Sequence, residues 1–212
     1  MIVEHLGQKL ELRRERALYW HDQRTLALSD LHLGKAESYQ REGIPIPADA
    51  GVQDLTRLSE VIHELEPETV LFVGDLIHAR NSWSLSLKDE LEGFFHVHHK
   101  RKFYLIIGNH ERGSIAQFEK MPVEIVTELT IGSFMFTHGH HQDDTKLFSV
   151  EGHFHPMVTL REGPLRVRLP CFVLNKQRLI LPSFGQWTGG AEIGNERSQR
   201  IFAVSRSSVF EV

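Results

Sequence analysis

The sequence predicts an α/β fold built on two packed β-sheets, and three observations carry that reading. Strand and helix patterns alternate through the first half, β patterns alone follow from Val123 onward, and no Pro/Ser-rich linker or internal repeat separates the halves. "TLALSD" (25–30) is a short apolar run ending in an acid. "AGVQDLTRLSEVIHEL" (50–65) sets Val52, Leu55, Leu58, Ile62 and Leu65 at helical spacing. "TVLFVGD" (69–75) reads as a buried strand, "SLSLKDELEGFFHVHH" (84–99) as a helix and "KFYLIIGNH" (102–110) as a third strand. This order implies βαβ units and a largely parallel sheet. The runs "VEIVTEL", "SFMFTHG", "MVTLRE", "LRVRLPCFVL", "RLILPSF" and "IFAVSRSSVFEV" then supply a second, more antiparallel sheet packed on the first. Residues 1–212 are expected to form a single domain with one shared core.

Composition sets limits on function. Hydrophobic residues at 41% and charged residues at 25% describe an ordinary globular chain, and the formal charge of -4 is not that of a dedicated nucleic-acid coat. Cys171 is the lone cysteine, so an intrachain disulfide is excluded. No apolar run approaches the roughly 18 residues of a membrane span, and the charged start "MIVEHLGQKLELRRER" lacks a signal-peptide core. A cytoplasmic location is the expectation. The anomaly is 14 histidines, five of them within residues 137–156.

Position gives those histidines meaning. In α/β sheets, functional groups gather beyond the carboxyl ends of strands. There the sequence sets Asp30 and His32, then Asp75, then Asn109 and His110, then His138, and finally His153 and His155. Each cluster alone could be a polar turn. The five together, in this order, are improbable as turn chemistry, and they bring two aspartates, one asparagine and several histidines to one edge.

The ordered motifs "SDLHLG", "GDLIH", "GNHE", "THGH" and "GHFHP" resemble the calcineurin-like metallophosphoesterase superfamily. The resemblance implies a four-layer αββα fold, a two-sheet β-sandwich flanked by helices. It also implies two divalent ions, with Mn²⁺ the favoured identity and Fe or Zn²⁺ the alternatives. Asp30, His32, Asp75 and His155 would hold one ion, and Asp75 would bridge to a second held by Asn109, His138 and His153. A hydroxide shared by the ions would attack the phosphoester, with His110 as the catalytic group that protonates the leaving oxygen. "LSDLHLGKAESYQREGIPIP", "LPCFVL" and "LPSFGQWTGG" narrow the resemblance to the bacterial DNA ligase-associated phosphoesterase family PdeM. That branch implies a DNA nuclease or phosphodiesterase linked to DNA repair, with a ligase and a helicase as functional partners; dimerising members of the wider superfamily add a homodimer as a further expectation. Glu111 departs from the Asp more common after the superfamily's histidine.

Other readings follow from single residues. Lys35 and Arg80 lie just past expected ligands and are candidates for substrate phosphates, as is His140 for the cleft wall; His141 reads as solvent-facing. His78 is a candidate neighbour of Asp75. His96, His98 and His99 read as helix surface, and "WTGG" (187–190) as a tight loop beside the cleft. Basic clusters at Arg13/Arg14/Arg16, Lys100/Arg101/Lys102 and Arg161/Arg166/Arg168 would supply local attraction for DNA. Two alternatives stand beside the nuclease: an enzyme for a small phosphodiester or nucleotide, and a non-catalytic scaffold. The complete ligand set and His110 favour catalysis.

Overall fold

The computed structural model describes residues 1–47, 49–139, 147–194 and 198–212. The chain opens with β1 (Ile2–His5), β2 (Gln8–Leu12), β3 (Leu18–Trp20) and β4 (Thr25–Leu28), followed by α1 (Lys35–Arg41) and α2 (Ala50–Leu65). Next come β5 (Thr69–Val73), α3 (Leu85–Val97), β6 (Lys102–Ile106), the short α4 (Ile115–Phe118) and β7 (Glu124–Val126). The remainder is β8 (Leu129–Ile131), β9 (Phe134–Thr137), β10 (Phe148–Glu151), β11 (Pro156–Glu162), β12 (Leu165–Leu174), β13 (Arg178–Ile180), β14 (Ala191–Glu192), β15 (Arg200–Val204) and β16 (Val209–Glu211).

The described strands form two mixed sheets. The first runs β1-β2-β3-β4-β5-β6-β7, antiparallel as far as β4 and parallel from β4 to β7. In the second, β9, β10 and β13 are parallel neighbours, while β8, β12, β15 and β16 add antiparallel pairs. The expected division at Val123 shifts: β7 closes the first sheet, so "VEIVTEL" is split between sheets. The reason is that β6 still offers a free edge, which Tyr104, Leu105 and Ile106 present to Glu124, Ile125 and Val126.

Strand alternation sorts the core into two slabs. Leu26, Leu28, Val70, Phe72, Phe103 and Leu105 face the helices, meeting Leu58 and Ile62 of α2 and Leu91 and Phe95 of α3. Their neighbours Ala27, Leu71, Val73 and Ile106 face the second sheet, packing with Phe134, Phe136, Phe172 and Phe202. The result is a two-sheet sandwich flanked by helices, as expected. Val52, placed on the apolar stripe of α2 by spacing, is instead exposed; Leu55, Leu58, Val61 and Ile62 are the buried face. Ser84 caps α3 by accepting the Leu87 N–H at 3.0 Å. No described helix is long and apolar enough to cross a membrane.

Candidate metal centre at the strand ends

The carboxyl ends of β4, β5, β6, β9 and β10 meet across the two sheets. Asp30 and His32 follow β4, Asp75 follows β5, Asn109 and His110 follow β6, His138 follows β9, and His153 and His155 follow β10. The exits of β4 and β5 are tied together: Asp30 N donates to Gly74 O (3.1 Å), His32 N to Asp75 O (3.0 Å) and Leu33 N to Leu76 O (2.8 Å). Asp30, His32, Asp75, His153 and His155 all have positive φ, between 43° and 76°. For non-glycine residues such backbone costs on the order of 1–2 kcal/mol each. Strain gathered on these residues marks a site whose side chains are aimed by the fold.

Gly74 and Gly108 make room for this crowding. A Cβ at 74 would overlap the His138 ring, and Gly74 also has φ +76°; a Cβ at 108 would overlap Asp75.

Among the described residues three groups of donor atoms lie close enough to share an ion: Asp30/His32/His155, Asp75/His138/His153 and His32/His78/His110. His155 Nε2 is 2.9 Å from Asp30 Oδ1, and His138 Nε2 is 3.2 Å from Asp75 Oδ2. His32 Nε2 sits 4.0 Å from both carboxylates and 3.3 Å from His155 Nε2. Asn109 Nδ2 is 3.3 Å from His153 Nδ1.

The hydrogen bonds on the far side of the rings decide what these donors can do. His138 Nδ1–H donates to Val73 O at 2.8 Å, and His155 Nδ1–H donates to Gly189 O at 3.1 Å. Each ring therefore points Nε2 at a carboxylate. A neutral imidazole presents a lone pair there, which repels the carboxylate unless a cation lies between them. His138 Nε2 is buried with no hydrogen-bond partner in acceptable geometry. The intervening cation must be a proton or a metal ion, so the residues fit the divalent ions that the motifs imply.

Electrostatics agree. Burial opposes the charged form of His138, yet Asp75 and Asp30 outweigh it and raise its pKa to about 9. His155 is raised against its burial by Asp30. Burial also opposes the Asp75 carboxylate, but His138 and the His110 backbone N–H hold it well below the usual range. His32 behaves oppositely: burial dominates and lowers it to about 3.

His110 stands at the rim with its side chain 36% exposed and Nε2 3.7 Å from Asp75 Oδ2. Its Nδ1 bonds the His78 carbonyl oxygen, and the two rings stack with centroids 5.6 Å apart. His78 thus touches His110 and feels the Asp75 charge, while burial lowers its pKa to about 4. Lys35 begins α1 beside His32 and lies 5.1 Å from the centre of the Tyr39 ring. Arg80 is exposed, with its aliphatic part against Gly113 in the loop after His110. His140 and His141 lie outside the described residues. His98 bonds Ser59 Oγ at 3.0 Å, far along α3 from the strand exits.

Glu111 is the contributor that sequence reasoning undervalued. Fully buried, its carboxylate accepts from Asp75 N (3.0 Å), Ile77 N (3.0 Å) and Gly108 N (2.9 Å). It pins the β5 and β6 exits to each other. Burial raises its pKa, and Asp75 adds to the effect against those three N–H groups. The available signal was an acid directly after "GNH".

A two-sheet sandwich with Asp/His clusters at its strand ends defines a metallophosphoesterase. The calcineurin-like phosphoesterase family profile matches residues 23–193, and the chain belongs to that family of metal-dependent phosphoester hydrolases. Its structure is similar to that of Pseudomonas putida nuclease MPE, with a TM-score of 0.87 and 32% sequence identity over 100% of this chain and 99% of the other. Weaker likenesses, each with a TM-score of 0.45, are to Yfce, a phosphoesterase from E. coli (17% identity; 89% of this chain, 97% of the other), and to an archaeal phosphodiesterase (16% identity; 89% and 98%). No curated protein sequence matches the chain.

Proposed function

We propose that the protein is a dinuclear metal-dependent phosphodiesterase whose substrate is DNA. The observation that supports this most is the pair of donor groups, Asp30/His32/His155 and Asp75/His138/His153, set side by side with Asp75 facing both. Asp30, His32, Asp75 and His155 would hold one ion, and Asp75, Asn109, His138 and His153 the other. When bound, two such ions supply Lewis acidity to a phosphoryl group and acidify water into a nucleophile near neutral pH. The mixed O/N donors favour Mn²⁺, with Fe and Zn²⁺ as alternatives.

The chain's own groups would do the rest. The His78 carbonyl fixes His110 by its Nδ1–H, leaving Nε2 directed over the site to deliver a proton to the leaving oxygen. Lys35 and Arg80 would neutralise phosphate oxygens. DNA as substrate draws on the likeness to a nuclease over the full chain. A role in DNA repair beside a ligase and a helicase rests on the sequence resemblance.

The test uses protein stripped by a chelator and restored with Mn²⁺, assayed on a phosphomonoester, a small diester, and single- and double-stranded DNA. Cleavage of the diester and of DNA that returns with the metal is the expected result. Turnover confined to the monoester would contradict the reading.

A further inference from the structure

Beside the strand-end site lies a recess of about 530 Å³ whose wall carries Arg14, Arg16, Arg57, Arg168 and Arg206. These come from four separate places: the β2–β3 turn, α2, β12 and the β15–β16 turn. Among the described residues Glu15 and Glu60 are the carboxylates on the wall, and Glu15 is already engaged by Arg13 and Arg14. Arg13 is spent elsewhere, on Glu11, Glu15 and Glu64.

Arg14, Arg57 and Arg168 are paired, with Glu15, Asp54 and Glu192, whereas Arg16 and Arg206 are not. Among the described residues Arg206 is exposed and has no carboxylate within ion-pair distance, and Arg16 donates to the Ser183 and Gly185 carbonyls, at 3.4 and 3.3 Å, with Asp54 a more distant attracting charge. Arg57 pairs with Asp54 at 2.8 Å but keeps its buried Nε without a partner. Burial, together with the neighbouring Arg57, lowers the Arg16 pKa to about 10. Guanidinium groups gathered in a concave wall repel one another, and an anion relieves that cost.

The recess is continuous with the active end of the molecule. A smaller space of about 190 Å³ shares Arg16, Arg168, Pro170 and Gln186 with it and ends on His155 and Gly189. Among the described residues no aromatic side chain lines the larger recess, which therefore offers no platform there for stacking bases. Arginine forks without stacking rings suit backbone phosphates and carry no sequence preference.

We propose that this arginine recess is a subsite for the backbone phosphates of a nucleic-acid strand whose scissile phosphate lies among the Asp30 and Asp75 clusters. The inference rests on the phosphodiesterase reading above and extends it. The strand passes Arg206 and Arg14, then Arg16 and Arg168, and reaches the centre along the His155 side. An acidic peptide would answer the same charges, but only a phosphodiester continues into a phosphoesterase centre.

The experiment compares kcat/KM and KM for a fluorescent oligonucleotide with those for bis(p-nitrophenyl) phosphate, in the Mn²⁺-restored protein, across about 50 to 200 mM salt. Arg206→Ala should lower the slope of log KM against log salt by roughly one, and Arg14→Ala/Arg206→Ala by roughly two. Arg206→Lys, which keeps the charge, should retain the slope. Small-diester turnover should be unchanged throughout. An oligonucleotide KM and salt slope unaltered in the double variant would overturn the subsite while leaving the nuclease reading intact. So would a parallel loss on both substrates. Wild-type protein that cleaves the diester but neither binds nor cleaves oligonucleotides would overturn both readings.

Discussion

His138 shows how a single ring states what it is for. Its Nδ1–H is committed to Val73 O at 2.8 Å, and its Nε2 faces Asp75 at 3.2 Å. With the pKa raised to about 9, the metal-free ring holds a proton at neutral pH, and a divalent ion must displace it. Metal affinity should therefore rise with pH, up to about tenfold per unit, and level off once pH passes about 9. Calorimetric titration of Mn²⁺ in buffers of different ionisation enthalpy should reveal proton release at pH 7.5; none released would contradict this geometry. His110 predicts a different split. His110→Ala should lose roughly 10²–10⁴ in kcat, while equilibrium dialysis still finds both ions bound.

At the scale of elements, the site depends on loops joined in pairs. Glu111 binds the β5 and β6 exits through three backbone N–H groups, so Glu111→Gln would turn an amide N–H₂ toward a buried N–H donor. The expected cost is about 1–3 kcal/mol in denaturant unfolding. Weaker metal binding should accompany it, because Asp75 loses its anchor. Gly74→Ala combines φ +76° with an overlap on the His138 ring, and should abolish binding of the ion that His138 would hold. Retention of full metal stoichiometry in Gly74→Ala would show that this loop is more pliant than its packing implies.

Elements also show what the sequence could reveal. The regular elements that carry the site, β4, α2, β5, α3 and β6, stood out because long apolar periods end in polar clusters. The N-terminal strands β1 to β3 did not, although Val3, Leu10, Leu12, Leu18 and Trp20 are buried at alternating positions. Their charged outward residues and short length left the stretch without a strand signature. Strand β10 hid for another reason: it buries Ser149 and Glu151, whose polarity masks a strand that Arg178 and a short hydrogen bond make tolerable inside. The short α1, at Lys35–Arg41, spans too few turns for its period to register.

At the scale of the whole molecule, one sheet does two jobs. Its helix-facing residues build one slab of core, and its alternate residues build the other against the second sheet. The strand-end site straddles this second slab, so its geometry depends on how the sheets pack. Phe136→Ala, which empties a fully buried position between them, should cost about 3–5 kcal/mol in unfolding free energy. The arginine recess was the least legible feature, since Arg57 and Arg206 stand in no basic run and meet Arg16 and Arg168 only through the fold.

The central claim, that these strand ends hold two ions with Asp75 between them, is most directly tested by anomalous diffraction from crystals grown with Mn²⁺. The account predicts two peaks flanking the Asp75 carboxylate, one beside Asp30, His32 and His155 and the other beside Asn109, His138 and His153. A single peak, or peaks away from Asp75, would contradict it.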